Sequence, residues 1–437
     1  MFADYPSAAD VLITNATIPG AMLAEGDRQT IGRFDIRIAG GRVTDISPAG
    51  SRSSEGSTIF DMRGGLVLPA FVDIHTHVDK GHIWPRRPNP DGTWMSALLS
   101  VAADRETLWK AEDVERRMDF ALRCAYAHGT AAIRTHLDSI PPQHEISWDL
   151  FERMRDKWAG RIELQAVSLL SPDVLIDPAA LDAVARRTQQ AGGILGGAVH
   201  TFERSKQAML AVVDKAGELG LDVDIHADEC LDPSSKVLLH LAEAVLETGY
   251  DGNVVAGHCC AIAVQDEATR ATTFETVAEA GIGIVSLPMC NLYLMNRDEA
   301  GTATPTRRGV TLLKEFAAAG VSVAIASDNT RDPFYAYGDL DGLEVLREGA
   351  RVLHFDHPQD AAWDWARTVT GGAAAMAGFE HRAEIAVDAP ADLVLFDART
   401  WTELLSRPQH DRIVLRGGQA IDTTLPDYRE LDDLMEV

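Results

Sequence analysis

Cysteine is scarce, five in 437 residues. Cys124, Cys230, Cys259, Cys260 and Cys290 form no CxxC pair and their number is odd, so neither a disulfide framework nor a cysteine zinc knuckle is expected. Such usage fits a reducing cytoplasm. Basic residues are also short: 40 Lys and Arg stand against 66 Asp and Glu, a formal net charge of −26. Nucleic acid and anionic membranes both reward basic surfaces, so neither is an expected partner. Long apolar runs are missing too, and no stretch reaches the ~18 uninterrupted apolar residues of a membrane-spanning helix. Residues 1–20 carry Asp4 and Asp10 rather than a basic region ahead of an apolar one, so no signal peptide is expected. What is present is ordinary. At 46% hydrophobic and 24% charged residues the chain can bury a sizeable core, and disorder is excluded as its main state. Its length allows about two to four domains, or one large barrel with an appendage.

The two chain ends share a texture. Residues 10–15, 34–39 and 42–46 alternate apolar and polar side chains, with Gly and Asn between them, and residues 392–397 and 412–418 read alike. Neither end suffices for a stable sheet alone. Together, residues 1–66 and 385–437 are expected to build one small β-sandwich. Residues 67–384 alternate short apolar strands with amphipathic helices such as 205–217 and 311–319. Eight candidate strands end near His75, His136, Ser168, Val199, His226, His258, Leu287 and Ser327. Their runs are nearly continuously apolar, as in strands buried on both faces. Eight such βα units predict an α/β fold, a (β/α)8 TIM-type barrel. An open doubly wound sheet is the alternative. No GxGxxG follows the first strand, and Gly192, Gly193, Gly196 and Gly197 have the wrong spacing for it. Residues 51–57 read as a loop.

The polar residues fall where such barrels hold their active sites, at the C-terminal strand ends. Four ends carry histidine (His75 with His77, His136, His226 and His258), and the eighth carries Asp328. His75 and His77 are two apart on an extended strand, so both imidazoles project to one side and can reach one ion. Three residues after His226 stands Glu229. A lone strand-end histidine is ordinarily a hydrogen-bonded structural residue. Four strands delivering His, His, His and Asp in this order point instead to a metal site.

With these motifs the chain resembles the amidohydrolase superfamily, and within it the cytosine deaminase family. The shared pattern is HxH on strand one, inside the phrase running from Leu68 to His77, then HxxE on strand five, His on strand six and Asp on strand eight. Residues 133–138, 288–294 with Arg297, 307–311 and 332–335 match further phrases. The resemblance implies one divalent metal ion, Zn or Fe, held by His75, His77, His226 and Asp328. Imidazole suits both ions. Such an ion lowers the pKa of its water towards neutrality. Glu229 would carry the proton from water to a ring nitrogen, His258 would hydrogen-bond the nucleophile or oxyanion, and Asp328 would also help move a proton to the departing amine. Strand four, residues 194–203, lacks the lysine of the binuclear members, which implies a mononuclear site. Lys80 reads as a loop or helix-start cation.

The resemblance weakens around the substrate. Where cytosine deaminase has a glutamine after strand three stands Ser171; a proline–histidine pair after strand four is replaced by His200 and Thr201; and the second of two adjacent acids after strand eight is Asn329. Gln165 lies mid-strand and reads as buried structure. A site that pairs a ring's donors and acceptors rejects rings that leave them unpaired. Ser171, His200 and Asn329 therefore imply the same chemistry on another ring. The expected activity is hydrolytic deamination of a cyclic amidine or N-heterocycle. Cleavage of a cyclic amide or N-alkylamine, and an inactive scaffold, are the alternatives. The partner is a small heterocyclic substrate, and barrels of this kind are commonly homo-oligomers. Trp84, Trp94 and Trp109 either cap the pocket or pack a core or interface. Cys259 and Cys260 read as packing, and the acidic tail 427–436 as solvated surface.

Overall fold

The first five strands are β1 (Asp10–Pro19), β2 (Ile31–Ala39), β3 (Arg42–Pro48), β4 (Thr58–Asp61) and β5 (Leu66–Pro69). In this computed structural model residues 4–51, 56–298, 300–357, 362–381, 383–408 and 411–436 are described. Residues 52–55 of the expected 51–57 loop lie outside them. β1 pairs antiparallel with β2, and parallel with β4 and then β5. The change of partner occurs at a bulge between Ile13 and Ala16. There Asn15 adopts φ 53°, a left-handed conformation that asparagine tolerates better than most residues. Its backbone N–H donates to Asp35 Oδ1 at 3.0 Å and its amide to Asp61 Oδ1 at 2.8 Å.

Eight further strands form the second sheet: β6 (Phe71–Thr76), β7 (Thr130–Asp138), β8 (Glu163–Leu169), β9 (Ile194–Val199), β10 (Val223–Ala227), β11 (Val254–His258), β12 (Gly283–Ser286) and β13 (Val323–Ile325). They neighbour one another in chain order. The last returns to the first, because Thr76 bridges Asp328 in parallel and the Asp328 N–H donates to the His75 carbonyl at 2.9 Å. This closes the expected (β/α)8 barrel. The seam is tied again by Asp73, which accepts from the Ser327 backbone N–H at 3.2 Å and from its hydroxyl. Burial raises the Asp73 carboxyl to about 6 against the pull of those donors.

The intervening helices follow from their apolar faces. Helix Ser205–Leu219 buries Ala208, Met209, Val212, Val213 and Ala216, one stripe of a 3.6-residue period, and ends on Gly220 at φ 64°. Each such Val or Met removed from water contributes roughly 1.5–3 kcal/mol. The helix expected at 311–319 occupies Leu313–Ala318.

The last strands are β14 (Leu393–Phe396), β15 (Ile413–Arg416) and β16 (Gln419–Ala420). β14 lies antiparallel to β5, with β15 and β16 beyond it. Both chain ends therefore share one eight-stranded sheet, the composite β domain expected from their texture. The chain divides into two compact units: Met1–Val72, Arg123–Ala132 and Asp341–Leu425; and Asp73–Leu122, Ile133–Leu340 and Pro426–Val437. The acidic tail departs from its reading as plain solvated surface. Its acids are exposed, yet Arg116 pairs with Asp433 at 2.6 Å, Arg86 donates to the Leu434 carbonyl at 3.0 Å, and the Tyr428 ring stacks on Phe120 at 5.5 Å. Among the described residues no helix is long and apolar enough to cross a membrane.

Candidate metal and active site

The histidines of β6 and β10 converge at the C-terminal mouth of the barrel. Nε2 of His226 lies 3.0 Å from Nε2 of His75 and 3.1 Å from Nε2 of His77. Asp328 Oδ1 stands 3.2 Å from His77 Nε2 and 3.9 Å from His75 Nε2. All four side chains are almost fully buried. Burial first, and neighbouring positive groups second, hold the three imidazoles well below their ordinary pKa. Neutral rings carry lone pairs, and three Nε2 atoms aimed at one spot have no proton donor among them for every lone pair. An unsatisfied buried polar group costs ~1–3 kcal/mol. A divalent cation removes that conflict, and three neutral imidazoles with one carboxylate suit zinc or ferrous iron. The residues present therefore fit the metal.

Local backbone makes room for this cluster. His258 and Asp328 sit at φ 66° and 65°, left-handed conformations that cost non-glycine residues free energy and gather at functional sites. A Cβ on Gly257 would lie 2.6 Å from Cε1 of His75, so only glycine fits beneath that ring.

Glu229 and His258 form the next group. Glu229 Oε1 is 3.5 Å from His258 Nδ1, and Oε2 accepts from the Trp94 indole N–H at 2.8 Å. Burial, reinforced by the charge of Asp328, raises the Glu229 carboxyl to about 8. The Asn291 amide donates to His258 Nδ1 at 2.9 Å, which leaves the ring proton on Nε2. Burial lowers His258 to about 3, so the ring is a neutral donor.

His136, from β7, packs 4.0 Å from His75 between ring centroids. Its Nε2 lies 3.9 Å from Asp224 Oδ1, and neither residue lines the cavity described below. Asp224 accepts from Arg134 at 2.8 Å, and Arg134 also donates to Gln165 at 3.0 Å. Gln165 is half-buried rather than buried, but this bond gives it the structural place that its mid-strand position implied.

A cavity opens over this site, and Ser171, His200 and Asn329 all line it. They differ in availability. Ser171 makes no capping bond to the helix it precedes. His200 packs edge-on against Trp94 at 4.2 Å, and burial lowers it to about 4. The Asn329 amide is already engaged, donating to Asp332 Oδ2 at 2.7 Å and accepting from Cys290 Sγ at 3.5 Å.

Several wall residues were not legible as such. Lys80, read as a loop cation, is instead buried in the cavity wall, 3.7 Å from Asp138 and 5.0 Å over the Phe334 ring. Besides its neighbour Asp79, the carboxylates that draw it inward (Asp138, Asp332 and Asp328) lie far away in sequence, so no local pattern announces them. Arg105 reaches the same Asp138 at 2.7 Å. Of the three tryptophans, Trp94 lines the cavity, whereas Trp109 is buried and donates to Asp104 at 2.8 Å. Cys259 and Cys260 are buried, and burial pushes both thiols up. That agrees with inert packing.

Known proteins resemble the chain along nearly its whole length. It is 50% identical over 437 residues to the pterin deaminase of Rhizobium rhizogenes (strain K84 / ATCC BAA-868), covering 99% of each. It is 25% identical over 399 residues to N-isopropylammelide isopropyl amidohydrolase of Pseudomonas sp. (strain ADP), covering 89% of this chain and 91% of that one. The structure of 5-methylcytosine deaminase from Klebsiella pneumoniae, liganded with 5-fluorocytosine, matches with a TM-score of 0.82 at 25% identity, over 95% of this chain and 98% of that one. A family model described as the amidohydrolase family matches residues 111–421. The resemblance first visible in the motifs holds throughout, and the chain belongs to the amidohydrolase family.

Proposed function

We propose that this enzyme hydrolytically removes an exocyclic amino group from a pterin-like fused ring. The chain is a metal-dependent deaminase of an N-heterocycle; the particular ring is our reading. One observation carries it: 50% identity to a pterin deaminase across 99% of both chains. The departures at Ser171, His200 and Asn329 support a ring other than cytosine.

His75, His77, His226 and Asp328 hold the divalent ion in this reading, and both zinc and ferrous iron suit them. When bound, the ion supplies water activated for attack near neutral pH. Glu229 accepts a proton from that water and passes it to the ring nitrogen. Its Oε2 is held by the Trp94 N–H, which fixes the carboxyl in one orientation for both transfers. His258 donates its Nε2 proton as a hydrogen bond to the oxygen added to the ring. Asp328 assists the proton that reaches the amino group. The C–N bond breaks, ammonia leaves and the ring keeps a carbonyl. Five free cysteines suit a reducing compartment, and we place the reaction in the cytoplasm.

Ammonia release from pterin and from cytosine by the metal-loaded enzyme tests the reading. Efficient turnover of pterin with little from cytosine is the expected result; the reverse order overturns it. The N-isopropylammelide relative favours a second reading, N-alkylamine cleavage. Alkylamine rather than ammonia as the product would select that one.

A further inference from the structure

Helix Trp94–Leu108 turns one face to the cavity. Trp94, Leu98, Val101 and Arg105 all line it, at i, i+4, i+7 and i+11, a single stripe of a 3.6-residue helix. The stripe is fastened at both ends. Trp94 donates to Glu229 at 2.8 Å, and Arg105 donates to Asp138 at 2.7 Å. Eleven residues at a rise of ~1.5 Å separate these fastenings by about 16 Å. That distance exceeds the length of a single six-membered ring. The chemistry of the stripe changes along it. Trp94 stands at the reacting end, Leu98 and Val101 make an apolar middle, and Arg105 makes a cationic far end.

Arg105 is the informative residue. Its side chain is 13% exposed. A guanidinium carries five N–H donors, and among the described residues one of them is shown bonded, to Asp138. Lys80 lies 3.7 Å from that same carboxylate. Two cations therefore share Asp138 in the wall of a cavity that belongs to a chain of net charge −26. The far end is built to donate hydrogen bonds.

We propose that this helix reads the substrate edge remote from the reacting amino group, and that Arg105 binds a hydrogen-bond-accepting oxygen on a substituent there. The proposal rests on the deamination reading above and makes Arg105 a specificity-determining residue.

The test uses the metal-loaded full chain and two pterins that differ only at the ring edge remote from the 2-amino group, one bearing methyl and the other hydroxymethyl. The wild type is expected to prefer the hydroxymethyl compound in kcat/KM by about ten-fold or more, the worth of a hydrogen bond to a charged group. Arg105→Ala and the better-packed Arg105→Gln are expected to collapse that ratio towards one, through KM more than kcat. A structural role would lower both substrates together and leave the ratio intact, which overturns the proposal. So does a wild type without the preference. If neither compound releases ammonia, the pterin reading fails separately. Calorimetric affinities of the same two compounds then decide: a ratio lost in the Arg105 variants supports the proposal, and no binding of either overturns it.

Discussion

The Trp94 indole and the Glu229 carboxylate are joined at 2.8 Å, and the bond occupies Oε2 while Oε1 stands 3.5 Å from His258. A flexible glutamate is thereby held in one orientation. In the mechanism proposed above, Trp94 positions the proton carrier and takes no proton itself. Trp94→Phe keeps the aromatic packing against His200 and removes the N–H. We expect kcat to fall about ten-fold, the loss of one hydrogen bond to a charged group, with metal content unchanged and KM changed less. An unaltered kcat would separate Trp94 from the mechanism.

Glu229→Gln retains the shape of the side chain and removes its proton chemistry. Loss of a general acid/base typically costs about 10²–10⁴-fold. The variant should hold as much metal as the wild type, because none of the convergent Nε2 atoms belongs to residue 229. Elemental analysis alongside steady-state kinetics reads both halves of this prediction. Full activity would remove Glu229 from the reaction.

Gly257 makes the tightest sequence requirement of the metal site. A methyl group there would meet Cε1 of His75 at 2.6 Å, and His75 lies in β6, buried and unable to swing away. Gly257→Ala is expected to displace the ring and to lower metal occupancy from one ion per chain in the wild type. β9 carries no lysine, which motivates the count of one. Two ions per chain in the wild type would overturn the mononuclear assignment, and full occupancy in the variant would overturn the steric one.

Legibility in the sequence followed the range of the forces involved. The barrel strands were readable because burial on both faces writes a continuous apolar run, and β10 and β11 are buried throughout. His75 and His77 were readable because a two-residue repeat is local. Lys80 was not, because Asp138, which helps hold it inward, ends a different strand, β7. Of helix Trp94–Leu108 only the possibility that Trp94 caps the pocket was readable. Trp94 finds Glu229 across 135 positions of chain, and no local pattern encodes such a pair. The three residues expected around the substrate all reach the cavity, yet only their surroundings show that Asn329 is already engaged. The docked tail was missed for a related reason: acidic composition describes its exposed side and says nothing of the arginines beneath.

Those arginines give a prediction about acid stability. Arg86 is 2% exposed and bridges Asp104 at 2.8 Å and Asp113 at 2.5 Å while holding the Leu434 carbonyl. Burial pushes the Asp113 carboxyl up, but the guanidinium groups of Arg86 and Arg117 outweigh it and hold the carboxyl below its ordinary value. A depressed carboxyl stabilises the fold fully above its unfolded value, near ~4, and that contribution is lost as pH falls through the folded value. Arg86→Met takes one of two cations from each buried carboxylate, since Asp113 keeps Arg117 and Asp104 keeps Arg87, so the cost should fall below the ~3–5 kcal/mol of a buried pair broken outright. The variant should still be less stable than the wild type at pH 7. The gap should narrow as pH drops below about 4, where protonation of Asp113 removes the same attraction from both. Denaturant midpoints between pH 7 and pH 3 measure it. A gap that stays constant, or widens with acid, would show that Arg86 stabilises the chain by packing and not by charge.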